Sequence, residues 1–229
     1  MNTLIIEDDT NVAEAITLCV QLRWPEVNIS TVTEGIEGIE NIKSGVFDIT
    51  LLDLNLPDID GLEVLKQIRS FSNVPIIIVT VRGNEDDQAK GLEMGADDYI
   101  VKPFKPRDLI ARVNAVLRRS SISEVAKGKG SQSIICGKLT LRLASNEAQL
   151  GEEIIKLTLN ESKLLYVLMK NAEHTLSNEN IIQEVWGKDS AATDVVRTCV
   201  KRLRDKLKDK PPQIILTQRG GGYRFASPS

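Results

Sequence analysis

Five short aliphatic runs in the first half of the chain alternate with helical patterns. The runs are TLII (3–6), VNISTV (27–32), DITLLD (48–53), PIIIVT (75–80) and YIV (99–101). Helical spacing falls near 11–22, 35–44, 61–70, 85–94 and 106–119, with Gly45 and Gly95 where helix C-caps belong. This alternation restricts the fold more than any other feature. It predicts a parallel sheet with helices on both faces. In such a sheet the strands end along one edge, and ligands bind just beyond those ends.

The residues at that edge are chemically marked. Glu7, Asp8 and Asp9 follow the first run, Asp53 closes the third, Thr80 closes the fourth and Lys102 follows the fifth. A single acidic residue at a strand end is commonly a cap or loop residue. An acidic cluster, an Asp, a Thr and a Lys at the ends of four strands, in that order, are hard to assign to caps alone. Crowded carboxylates raise one another's pKa unless a cation intervenes. Mg²⁺ fits oxygen donors, here Asp8, Asp53 and the backbone carbonyl of Asn55. An aspartate beside Mg²⁺ and a lysine can attack a phosphoryl group, with metal and lysine balancing charge on the equatorial oxygens. Thr80 is expected to donate its hydroxyl to those oxygens.

Charge divides the chain. Residues 1–119 carry a net −8 and residues 134–229 a net +4, within a total of −3. Two domains with different partners are expected. Between them SSISEVAKGKGSQS (120–133) has no periodicity and reads as a flexible linker. The three cysteines, Cys19, Cys136 and Cys199, have no metal-ligand spacing, and His174 is the only histidine. These counts argue against a disulfide framework, a histidine-rich metal site and Ser-His-Asp chemistry. No apolar run approaches the ~20 residues of a membrane span, and the N-terminal residues lack a signal-peptide pattern. The expected location is the cytoplasm.

The second half predicts short strands (134–142, 147–150, 153–156), helices near 160–171, 178–186 and 193–208, and a Gly-rich hairpin over 213–225. In RTCVKRLRDKLKDK (197–210) seven residues are basic and two acidic. Val196, Val200, Leu203 and Leu207 mark one apolar helical face. Anchored on that face, the helix could lay its basic side chains in a DNA major groove. A solvated or partner-binding helix would read the same way. QRGGGYRF puts Arg219 at a hairpin tip suited to a minor groove. Cys199 reads as a small residue at this interface rather than a redox sensor.

The motifs LIIEDD, LLDLNLPDIDG, PIIIVTVRG and GADDYIVKPF resemble the receiver domain of two-component response regulators across residues 1–119. The resemblance implies a doubly wound, five-stranded, flavodoxin-like α/β fold. It makes Asp53 the phospho-acceptor, Glu7 and Asp8 the acidic pair with Asp8 ligating metal directly, and Thr80 and Tyr99 the switch pair, with Lys102 beside them. Phosphate would come from the phosphohistidine of a sensor histidine kinase. Thr80 would then move toward it, and Tyr99 would turn inward. Val81 departs from the small alanine usual after the threonine and would crowd the pocket mouth. Homodimers of this type form through ion pairs on the face of the fourth helix, fifth strand and fifth helix. Asp97 with Arg112 and Asp98 with Arg119 match that pattern. Gln88, opposite Asp108, breaks a third pair.

LTLNESKLLYVLMKNA, IIQEVWG, VKRLRDKL and RGGGYRF resemble the winged helix-turn-helix effector of OmpR/PhoB-type regulators over 134–225. The resemblance implies a winged-helix α+β DNA-binding domain spanning 134–229 and binding double-stranded DNA. Val195, Thr198, Cys199 and Arg202 would lie near the groove, Arg202 reading a base. Lys201 and Arg204 would serve phosphates, Arg197 would be a further DNA-binding residue, and Arg219 would serve the minor groove. Trp186 would be core. The loop 187–193 would meet RNA polymerase, and Asp194 replaces a basic residue there. Two other functions compete with a phosphorylation-switched transcription factor. An aspartyl phosphatase would need an Asp at position 55 and a Thr at 57, where Asn55 and Pro57 stand. A DNA-binding protein with a non-signalling receiver would not need the complete set Asp8, Asp53, Thr80 and Lys102.

Overall fold

The structure is a computed structural model. It describes residues 1–125, 133–186, 193–218 and 221–228, without the side chains of 119–125, 193 and 194. The chain divides into two compact units, Met1–Arg119 and Ser120–Ser229.

In the first unit β1 (Asn2–Ile6), β2 (Asn28–Val32), β3 (Ile49–Leu52), β4 (Ile76–Thr80) and β5 (Asp98–Val101) form one sheet in the order β2-β1-β3-β4-β5. Every pairing is parallel. The intervening helices are α1 (Thr10–Arg23), α2 (Gly35–Ser44), α3 (Gly61–Phe71), α4 (Glu85–Glu93) and α5 (Pro106–Val125). All residues of β3 and β4 are buried, as expected of central strands covered on both faces. α5 runs six residues past the expected boundary at 119. The added segment, SSISEV, contains neither glycine nor proline to break the helix.

Strand register aligns the marked edge. Ile6 lies beside Leu52, Leu52 beside Ile78, and Thr80 beside Val101. The residues that follow these positions therefore emerge side by side. Local caps fix the loops above them. Asp9 caps α1 by accepting the Asn11 N–H at 2.9 Å, and Asp60 caps α3 by accepting the Leu62 N–H at 2.8 Å. Asp58 accepts the Gly35 and Ile36 N–H groups, both at 2.8 Å, tying the β3–α3 loop to the start of α2. At Gly61 a Cβ would sit 2.3 Å from the Asp53 carbonyl oxygen and 2.5 Å from Leu54 Cα. Only glycine lets α3 begin this close to the strand end.

The second unit opens with an antiparallel sheet of β6 (Ser133–Cys136), β7 (Leu139–Arg142), β8 (Glu147–Leu150) and β9 (Glu153–Lys156). The expected run 134–142 is thus a hairpin, turned at Gly137 with φ +56°. Then come α6 (Leu159–Lys170), β10 (Thr175–Leu176), α7 (Asn178–Val185), α8 (Thr193–Leu207), β11 (Ile215–Thr217) and β12 (Tyr223–Phe225). The last three strands form a sheet in the order β10-β12-β11. Thr158 and Glu161 make a capping box at the start of α6. Leu164, Leu165, Val196, Val200, Leu203, Leu207 and Phe225 pack in one core, so the apolar face of α8 docks where its spacing predicts. The buried Asp209 carboxylate accepts the N–H groups of Gln213, Ile214 and Ile215 at 2.6, 3.0 and 2.9 Å and closes the loop from α8 to β11.

Candidate phosphoacceptor pocket and nucleic-acid helix

At the sheet edge the Lys102 ammonium lies between two carboxylates. Its Nζ donates to Asp53 Oδ2 at 2.7 Å and to Glu7 Oε1 and Oε2 at 2.8 and 2.6 Å. Asp53 Oδ1 accepts the Leu54 N–H at 2.6 Å. Asp53 and Glu7 are buried, while Asp8 is exposed at the rim. One carboxylate oxygen from each of Glu7, Asp8 and Asp53 falls within a 4.8 Å cluster. These hard oxygen donors suit Mg²⁺. Burial, helped by the Asp53 charge, pushes Glu7 up to about 7 against the opposing pull of Lys102. Burial alone would depress the Lys102 pKa, but its bonds to Asp53 and Glu7 outweigh that and hold it above the usual lysine value.

Thr80 is fully buried at the end of β4. Tyr99 is also buried, and its hydroxyl donates to the Arg82 carbonyl at 2.7 Å. Burial, with Asp87 and Asp53 adding to it and Arg82 opposing, pushes its phenol up to about 12. The ring is thus turned inward. Arg82 is a member of the site that sequence reasoning missed. Its Nε donates to Asn55 Oδ1 at 2.7 Å, and its guanidinium pairs with Asp60 Oδ2 at 2.7 Å. It joins the β4–α4 and β3–α3 loops beside Asp53. Its position two residues past the strand-end threonine was the available signal. Val81 is 59% exposed at the same edge.

On α8, Arg197 and Lys201 are exposed and Thr198 is half-buried. Arg202 Nε lies 3.3 Å from the buried Glu161 Oε1, with the arginine side chain 23% exposed.

Comparison with known proteins agrees with this arrangement. A response regulator receiver domain model matches residues 3–114, and a model for the C-terminal part of transcriptional regulatory proteins matches residues 151–225. Response regulator ArlR of Staphylococcus aureus (strain Mu50 / ATCC 700699) is 38% identical over 222 residues, 96% of this chain and 97% of its own length. The chain belongs to the OmpR/PhoB-type response regulators. Among solved structures it is similar to a point mutant of RitR, with TM-score 0.77, 25% identity and 99% of both chains covered. DrrB, an OmpR/PhoB homologue from Thermotoga maritima, gives TM-score 0.50 at 28% identity, again over 99% of both chains.

Several residues of this response regulator differ from the sequence reading. Asp97 does not face outward. It is buried, accepts the Ile76 N–H at 2.9 Å and pairs with Arg69 at 3.1 Å. The expected partner Arg112 pairs instead with Asp98 of its own chain at 2.6 Å. The side chain of Arg119 lies outside the described residues, as do Arg219, residues 187–192 and the side chain of Asp194. Gln88 donates to the Gly83 carbonyl at 2.9 Å. Val195 and Cys199 are buried rather than near a groove, because the apolar face of α8 is wider than its four-residue stripe. Trp186 packs against the core, as the sequence reading has it. Arg204 is turned inward: Nε donates to the Ile215 carbonyl and Nη2 to Thr217 Oγ1, each at 3.0 Å, and the guanidinium lies 5.9 Å from the Tyr223 ring. It holds β11 rather than facing a phosphate. Among the described residues no helix is long and apolar enough to cross a membrane.

Proposed function

We propose that Asp53 accepts a phosphoryl group from the phosphohistidine of a sensor histidine kinase, and that this modification controls DNA binding by the second unit. An Asp53 carboxylate oxygen attacks phosphorus, the P–N bond breaks, and the electron pair leaves with the imidazole. The observation that carries this reading is the Lys102 ammonium on Asp53 and Glu7, a buried cation set where charge accumulates. Asp8, Asp53 and the carbonyl of Asn55 would hold Mg²⁺, which when bound stabilises the oxygens of the transferring group. Thr80 then donates its hydroxyl to the new phosphoryl oxygens, and the inward Tyr99 fixes the β4–α4 loop through Arg82.

The signal passes to the α4-β5-α5 face, where Asp98, Arg112 and Arg119 supply ion pairs between two protomers. Asp98 and Arg112 exchange their intrachain pair for the same pair across the interface. The dimer brings two DNA-binding domains to adjacent half-sites of double-stranded DNA, adding effective concentration rather than new base contacts. The domain limits 1–119 and 134–229, joined by 120–133, allow a direct-repeat arrangement. Arg197, Thr198 and Lys201 contact the major groove with Arg202, and Arg219 the minor groove. The resemblance of 187–193 to a polymerase-contacting loop supports RNA polymerase as a further partner, and a DNA target supports a cytoplasmic location.

Sedimentation velocity of the full-length protein with Mg²⁺, with and without beryllofluoride, tests the switch. A monomer-to-dimer shift that Asp53→Ala abolishes is expected. Equal operator affinity of Asp53→Ala and the phosphorylated native protein would show a phosphorylation-independent regulator instead.

A further inference from the structure

The sheet of β6 to β9 has two unlike faces. Leu141 and Ala148 lie side by side at the centre of one face and are fully buried in the core. Strand register places Ile135, Thr140, Gln149 and Ile154 in one row across the opposite face. Isolated exposed apolar residues are ordinary. Here they stand at the two ends of a single row, 67% and 59% exposed. One step along the strands, on the same face, Arg142 and Glu147 are direct cross-strand partners. Opposite charges placed in this way stabilise a ladder by pairing, yet these two form no ion pair among the described residues. Arg142 Nη2 donates instead to Gln149 Oε1 at 2.7 Å, and Glu147 Oε2 accepts from the Ser145 hydroxyl at 3.0 Å.

This face is complementary to itself. The strand order β6-β7-β8-β9 is symmetric about its middle. Consider a twofold axis parallel to the strands, midway between β7 and β8, with a second copy turned over onto the first. β6 then lies over β9 of the second copy, and β7 over β8. Ile135 meets Ile154 of the second copy, Thr140 meets Gln149, and Arg142 meets Glu147, every contact being made twice. An axis across the strands would set the isoleucine row against the charged row instead. Sheets stacked face to face lie about 10 Å apart with strands within about 30° of each other, so facing side chains touch. Four strands about 4.8 Å apart, each offering four residues about 3.4 Å apart, give a flat footprint of about 260 Å². A standard interface takes about 800 Å² from each partner. Such a contact is weak between separate copies and gains weight where DNA or the receivers already hold two copies together. We propose that the outer face of the β6–β9 sheet is an isologous docking surface for the same face of a second copy of this chain. The inference depends neither on phosphorylation nor on the contacts of α8 with DNA.

The test uses the full-length chain with Cys136→Ala, which leaves only the buried Cys19 and Cys199, and neither DNA nor a phosphoryl mimic is added. Proteins carrying Ile135→Cys or Ile154→Cys are oxidised with diamide, each alone and as an equimolar mixture at the same total concentration. The mixture is expected to form an intermolecular disulfide about tenfold faster than either protein alone. Like positions of the two copies stand about 14 Å apart sideways, beyond the Cα separation of about 7 Å that a disulfide can bridge. Charge reversal then probes the second row. With Arg142→Glu in both proteins, glutamate faces glutamate at each contact, and the rate should fall about tenfold. Ile135→Cys with Arg142→Glu, mixed with Ile154→Cys with Glu147→Arg, should recover it. Each chain then holds like charges within itself, and only the second copy supplies the opposite sign. Equal rates in the mixture and in the single proteins, or no recovery on charge reversal, would overturn the proposal and leave the face to solvent or to a different partner. If a charge variant fails to fold, the first mixture decides alone.

Discussion

Replacing Asp97 by alanine should unfold the receiver more than it weakens a dimer. Arg69 and Asp97 are 5% and 1% exposed at their side chains, so the variant takes the carboxylate from a buried guanidinium that keeps its bonds to the Gly95 and Ser72 carbonyls. It also removes the acceptor of the Ile76 N–H at the start of β4. Breaking a buried pair from one side costs about 3–5 kcal/mol, a large share of a typical domain stability of about 5–15 kcal/mol. Asp98→Ala is the matched control. Its partner Arg112 is 46% exposed, and such a pair is worth only about 0.2–1 kcal/mol. The chain has two tryptophans, Trp24 in the receiver and Trp186 in the second unit. In a Trp186→Phe background, Trp24 fluorescence therefore follows receiver unfolding alone. With a urea m value of about 2 kcal/mol/M, Asp97→Ala should lower the midpoint by about 1.5–2.5 M and Asp98→Ala by less than about 0.5 M. Equal midpoints for the two variants, with dimerisation lost only in Asp97→Ala, would refute the argument and return Asp97 to the dimer face.

Three other outcomes follow from single contacts. For Asp58, burial raises the carboxyl pKa, but N–H bonds from Ile36, Gly35 and its own loop outweigh that and hold it below the ordinary value. Its stabilisation is therefore present above the unfolded-state pKa of about 3.9 and lost as the pH falls through the lower folded-state value. Asp58→Ala should cost about 0.5–2 kcal/mol at pH 7, as loss of a cap does, and native and variant midpoints should converge at low pH. Gly61→Ala drives a Cβ into the Asp53–Leu54 backbone. It should cost about 1–3 kcal/mol and slow phosphoryl transfer from acetyl phosphate, measured by acid-labile phosphate. Arg204→Ala should lower the melting temperature of the second unit while leaving the salt slope of DNA binding unchanged, since its donors are committed to Ile215 and Thr217.

The receiver pocket was legible because it depends on short-range order. A strand-end residue is fixed at the edge by the strand preceding it, and parallel register then assembles Glu7, Asp53, Thr80 and Lys102 without further information. The orientation of Asp97 was not legible. In an amphipathic strand the parity of neighbouring residues tells inside from outside, but Tyr99 and Ile100 are both buried, so β5 carries no such alternation. Which of two adjacent aspartates turns inward was decided by Arg69 on α3, 28 residues away. β10, two residues long, was missed for a similar reason: its partner is β12, far along the chain.

The same distinction governs the basic helix. Composition counts seven cations over 197–210 as one field, but folding spends them unequally. Arg202 and Lys206 sit on Glu161, and Arg204 on β11. Lys208 and Lys210 pair with Glu153 and Asp205 at the surface, where they remain 71% and 74% exposed and can exchange those partners for a phosphate. Arg197 and Lys201 are exposed, with no ion pair among the described residues. Each phosphate neutralised adds about 0.9 to the magnitude of the slope of log K against log salt. Lys201→Ala should therefore flatten the slope by about 1 per DNA-binding domain engaged, and Lys206→Ala should leave it unchanged. A slope that falls equally for both would mean that DNA pulls Lys206 off Glu161, and that the helix presents its whole charge after all.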